Sequence, residues 1–114
     1  MAWQTFEVQY YRVHIVALNS PGFGNICAFV ELYLGNKTRA TLWYHPEATT
    51  LPNSASGSGD DIRYYGRFTA AQFPDCIDLL RNEKPVYFVW NDASNGAQLS
   101  TSNEPVGEET DAGF

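Results

Sequence analysis

His14 and His45 are the two histidines of this chain. An imidazole titrates near neutral pH, so two on one surface could serve as acid and base in a phosphoester hydrolysis. Spacing supplies no third group to orient either ring, and a small hydrolase using His14 or His45 is the last of three readings. Arg12, Arg39, Arg63 and Arg67 carry planar guanidinium forks that match anionic oxygens. Trp43 and Tyr65 lie in the same stretches and supply rings for stacking. This set would suit a small anionic or nucleotide-like ligand held between the two rings. The same residue types also dominate contacts between proteins, and a protein partner is the leading reading.

The other reactive side chains point elsewhere. Cys27 and Cys76 are far apart, with no CxxC and no Cys/His cluster, so no zinc site is expected. They read either as two free thiols of a cytoplasmic protein or as a disulfide whose geometry the sequence does not supply. Asp60 and Asp61 adjoin a Ser/Gly run and read as a cation site or, more simply, as solvated carboxylates. The Gly-Phe-Gly at 22–24 lacks the spacing and the following helix of a phosphate loop. No catalytic residue, metal or cofactor is expected.

These side chains act together only if strands set them on one face. Residues 6–18 are β-branched and aromatic and alternate in their middle, which predicts one long strand. Turn formers at 19–24 follow. A second strand is expected from about 25 to 34, a tight turn at 35–37, and a third strand at 38–45, in an antiparallel meander. Residues 47–61 form a long loop with a Ser/Gly centre, read as a mobile linker. A fourth strand is expected at 62–68. Thr69 with Gln72 three positions on has capping-box spacing, and Phe73, Cys76, Ile77 and Leu80 make the apolar stripe of a helix ending near Asn82. Strands at 86–90 and 97–102 flank a turn at 92–96. The expected fold is α+β, an antiparallel sheet of about six strands in the order β-β-β-β-α-β-β, with one helix packed on one face.

The period of 2 then sorts the strands' side chains. If Ile26, Ala28, Val30 and Leu32 meet the helix, the other face carries Phe29, Glu31 and Tyr33. Tyr10, Arg12 and His14 join them from the first strand, Arg39, Trp43 and His45 from the third, and Arg63, Tyr65 and Arg67 from the fourth. One bulge would reverse part of this assignment.

Composition bounds the rest. The chain has 114 residues, 44% hydrophobic and 18% charged, enough for one core without staples. Glu104, Glu108, Glu109 and Asp111 hold four of its 13 acidic residues. Residues 1–103 are therefore read as one domain and 104–114 as an acidic tail. Strong nucleic-acid binding is not expected, because phosphate contacts need clustered Lys and Arg. No apolar run approaches the roughly 20 residues of a membrane span, and the N-terminus has no secretory pattern. The expectation is a cytoplasmic, non-enzymatic binding module of inhibitor, immunity or adaptor type, with a protein partner or a second copy of itself.

Overall fold

Strand-forming residues at the N-terminus do not make one strand. The computed structural model describes residues 3–18 and 20–102; Met1, Ala2, Asn19 and 103–114, the acidic tail among them, lie outside the described residues. Consecutive amides of an extended chain point in opposite directions. Here they find acceptors on different neighbours: the Val8 amide donates to the Val86 carbonyl at 2.8 Å, and the Gln9 amide to that of Tyr33 at 2.9 Å. The single strand expected at 6–18 is thereby two, β1 (Trp3–Glu7) and β2 (Tyr10–Ile15), in different sheets.

The following elements are β3 (Ala28–Leu34), β4 (Lys37–His45), β5 (Ser54–Ser56), β6 (Arg63–Thr69), α1 (Phe73–Asn82), β7 (Val86–Asn91) and β8 (Gly96–Thr101). Among the described residues this is an α+β fold of eight strands and one α-helix. The strands form two sheets, β1-β7-β8 and β2-β3-β4-β6-β5, where one sheet is expected from the sequence. The first is antiparallel. The second is mixed, because β6 runs parallel to β4. The chain between them returns by way of β5, which pairs antiparallel with β6 at the sheet's edge.

The segment 47–61 therefore differs from a linker. Asn53 donates to the Asn95 carbonyl at 3.0 Å and accepts the Arg67 amide at 2.8 Å. Lys37 meets Asp61 at 3.3 Å. Local signals elsewhere act as read. Gly35 takes a positive φ of 65° in the two-residue turn between β3 and β4, a conformation without penalty for glycine. Gln72 accepts the Thr69 amide at 3.0 Å, closing a short 3₁₀ turn (Ala70–Gln72) that leads into α1. Pro74 occupies the first turn of α1, where no amide is missed, and Arg81 the last, where cations suit the helix dipole. The Asn91 side chain accepts the amides of Ala93 and Ser94, which shapes the β7–β8 hairpin.

The sheets face each other. Val30, Leu32, Leu42 and Tyr44 from one, and Phe88 and Trp90 from the other, are buried. Tyr64 joins them, its ring centroid 5.7 Å from Phe88 and 5.1 Å from Trp90. Burial of a side chain such as Phe88 stabilises by roughly 2–3 kcal/mol. The helix covers the same core with Cys76 and Leu80, and Phe73 meets Tyr44 edge-on at 5.0 Å. Gly66 lets the sheets close: a Cβ there would lie 3.1 Å from the Phe68 ring and 3.4 Å from the Ala97 methyl. Cys27 and Cys76 are free thiols. Burial pushes the Cys76 thiol and the Tyr44 hydroxyl beside it upward in pKa.

Two outcomes follow from this packing. Gly66→Val should lower stability by about 1–3 kcal/mol through overpacking between β6 and β8; an unchanged urea midpoint would show that the sheets do not close there. An aromatic disulfide reagent at neutral pH should modify half-buried Cys27 first and Cys76 only on unfolding, since the thiolate is the reactive form. Equal rates in the native protein would contradict the burial of Cys76.

Candidate binding surface

The pleat and register place most of the selected side chains on one face of the five-stranded sheet, opposite the helix. Cross-strand partners run His14, Phe29, Trp43 and Arg67 in one row, and Arg12, Glu31, Thr41 and Tyr65 in the next. Neighbouring strands lie about 4.8 Å apart, so each row is a line of neighbouring side chains. Phe29 is the hub of the first. It stacks on His14 at 4.2 Å and on Phe23 at 6.0 Å, and tilts against Trp43 at 5.2 Å.

Both histidines are engaged within the protein. His45 is 2% exposed, and both ring nitrogens are engaged. Nδ1 lies 2.6 Å from the Asn25 carbonyl, which only accepts, and Nε2 lies 3.1 Å from Arg67 Nη1, which only donates. The ring therefore carries its proton on Nδ1 and offers Nε2 as an acceptor. His14 Nε2 lies 2.9 Å from Glu31 Oε1, and the Tyr33 hydroxyl donates to the same oxygen at 3.4 Å. β3 separates the strands of His14 and His45, so the two rings stand about 10 Å apart or more. The geometry does not bring them together as an acid–base pair.

The arginines do not converge either. Arg67 donates through Nε to the Pro52 carbonyl at 3.2 Å as well as to His45, and so ties the segment before β5 to the sheet. Arg12 stands in register with Glu31. Arg39 is the unpaired residue of a bulge, since Leu32 faces Ala40 while Tyr33 faces Thr38. Alternation breaks there, and Arg39 Nη1 turns to the Asp60 carbonyl at 3.0 Å. Arg63 is exposed at the start of β6, four residues and about 13 Å from Arg67. Trp43 and Tyr65 sit in adjacent rows, but Arg39 and Arg63 do not flank them as one anion cradle. Among the described residues no cluster of three His, Cys, Asp or Glu is placed to hold a metal ion, and Asp61 is paired with Lys37.

What the face does form is a recess of about 350 Å³ between the chain before β3 and the chain after β4. Trp43 and His45 line it from β4, Phe23 and Ile26 from the chain before β3, and Thr49 and Leu51 from the chain after β4. Phe23 is 42% exposed and Leu51 54%. Neither residue belongs to the strand pattern that marks the other side chains of this face. Phe23 had a signal: it stands between Gly22 and Gly24, whose φ values of 88° and 62° hold it at the tip of a loop. Leu51 had none beyond being apolar in a polar segment.

These features define a class, an α+β domain of two facing sheets with an aromatic outer recess between pinned loops. Comparison with protein-family models, with curated proteins and with solved structures finds no match.

Arg67→Ala should lower stability by about 2 kcal/mol, because it strands buried His45 Nε2 without a donor and frees the Pro52 carbonyl. Chemical denaturation measures this. A loss below about 0.5 kcal/mol would mark the guanidinium as a surface ornament rather than the tie between loop and sheet.

Proposed function

We propose that this protein is a non-enzymatic, cytoplasmic binding module that recognises a partner protein with the outer face of its five-stranded sheet. The observation that carries the reading is the pair of exposed apolar side chains, Phe23 and Leu51, which line one recess together with Trp43. Apolar anchors in a pocket ringed by polar groups are the usual centre of a protein interface. The recess is held in place before any partner arrives. Phe29 backs Trp43, and His45 and Arg67 are already bonded to each other and to both loops. A preformed site loses less conformational entropy on binding. The guanidinium groups, each turned to an acceptor or to solvent in a different place, favour this reading over an anion cradle.

The test uses wild-type protein and Leu51→Asp as paired baits, with retained proteins quantified by mass spectrometry. Leu51 is half exposed, so the substitution should leave the melting temperature within a few degrees. A specific protein should be retained by the wild type and depleted at least tenfold on L51D, and Phe23→Ala should weaken it by about 1–2 kcal/mol. Identical retention on both baits would sink the reading. A rise in melting temperature with nucleotides or phosphosugars, reversed by salt, would move the assignment to an anionic ligand.

A further inference from the structure

We infer that two copies of this chain associate through the free edge of β2, joining their five-stranded sheets into one continuous sheet across a two-fold axis at Val13. The inference stands apart from the recess and uses different residues. β2 pairs with β3 on one side, and among the described residues no strand pairs with it on the other. The Val16 amide donates to the Cys27 carbonyl at 2.9 Å, in the same register that sets Ile15 opposite Ala28. Antiparallel bonding alternates. Tyr10, Arg12 and His14 thus direct their amides and carbonyls to β3, while Tyr11, Val13 and Ile15 direct theirs outward. Unpaired main-chain groups of this kind are a template for another strand.

The side chains at the edge agree. Val13 and Ile15 belong to the apolar sheet face, and their cross-strand neighbours Val30 and Ala28 are buried. Yet Val13 is 40% exposed and Ile15 70%, with Leu18 beyond them at 91%. The other end of the same sheet carries none of this. β5 is three residues long, Ser-Ala-Ser, and runs into Gly57 at a φ of 82°, which blunts it as an edge. β8 is a largely polar strand whose Ala97 lies close to Gly66 of β6.

The occupant is a second copy because β2 is complementary to itself. An antiparallel two-fold at Val13 sets Val13 against Val13 and Tyr11 against Ile15, with about six main-chain hydrogen bonds from the three outward-facing residues. On the outer face the same register brings Arg12 of each copy opposite the second copy's His14, whose ring is already on Glu31. A guanidinium thus meets a histidine–carboxylate pair, a complementary arrangement. Moving the centre to Arg12 would oppose two guanidiniums, and moving it to His14 would oppose two imidazoles. Of these three centres, charge favours Val13. Such an edge buries on the order of 1,000 Å², the lower end for specific pairs, so the dimer is expected to dissociate on dilution.

Sedimentation velocity on the full chain, from about 5 to 500 µM, tests this. The expected result is a weight-average mass that rises with concentration from 12.8 kDa toward the dimer. Val13→Lys should raise the dissociation constant at least tenfold with an unchanged circular dichroism spectrum, and Ile15→Lys, at a more exposed position, should do the same should V13K not fold. Leu51→Asp should dimerise as the wild type does, which separates this interface from the recess. A wild-type monomer across the whole range would overturn the inference, as would a folded V13K or I15K that self-associates like the wild type.

Discussion

Two successive amides, Val8 and Gln9, hold the architecture together by bonding in opposite directions to Val86 and Tyr33. A strand that belongs to two sheets must bend between them, and the bend turns the sheets face to face. Without it, β1 and β2 would extend one flat sheet with a single covered side. With it, β7 and its Phe88 and Trp90 swing over the apolar side chains of β3 and β4. The burial of Tyr64 between them depends on that closure, and so does the requirement for a glycine at position 66. The same bend leaves β2 with a bonded side toward β3 and an open side that no described strand fills.

Closure also decides which polar groups are available. The helix and the three-stranded sheet take one face of the larger sheet, so its arginines and histidines are left on the other. There they are used within the protein. His45 and Arg67 form a chain of donors and acceptors from the Asn25 carbonyl to that of Pro52. This fixes two long connections against the sheet with few side chains. Buried polar groups must be satisfied, and here the acceptors are carbonyls of those two connections. The aromatic line from His14 through Phe29 to Trp43 adds stiffness, since stacked rings between paired strands have little room to change rotamer. Arg39 and Arg67 thus act as struts, and Phe23 and Leu51 are the apolar side chains that the recess presents to solvent.

Much of the local structure was legible because short-range physics determines it. The alternation in 25–34 and 38–45 marked two strands and their faces, and the register of β2, β3, β4 and β6 keeps that sorting for His14, Trp43, Tyr65 and Arg67. Thr69 with Gln72 marked the approach to the helix, and Phe73, Cys76, Ile77 and Leu80 marked its inner stripe, because capping and a 3.6-residue period are properties of neighbouring residues. The buried thiol of Cys76 followed from that stripe. The α+β class followed from the order of elements.

Tertiary structure decided the rest, in each instance because the deciding partner is remote in sequence. Nothing within residues 6–18 distinguishes one strand from two; the division depends on Val86 and Tyr33. The Ser/Gly composition of 47–61 reads as a linker, and only the carbonyl of Asn95 and the guanidinium of Arg67 show it bound to the sheet. Arg39 leaves the arginine row because Leu32 and Tyr33 pair with Ala40 and Thr38 and skip it. His45 is a surface base by periodicity and a buried strut by contact with Asn25 and Arg67. Sequence by itself determined which residues could share a face; long-range hydrogen bonding decided which of them were still free to act, because a donor or acceptor is committed only when the fold brings its partner within reach.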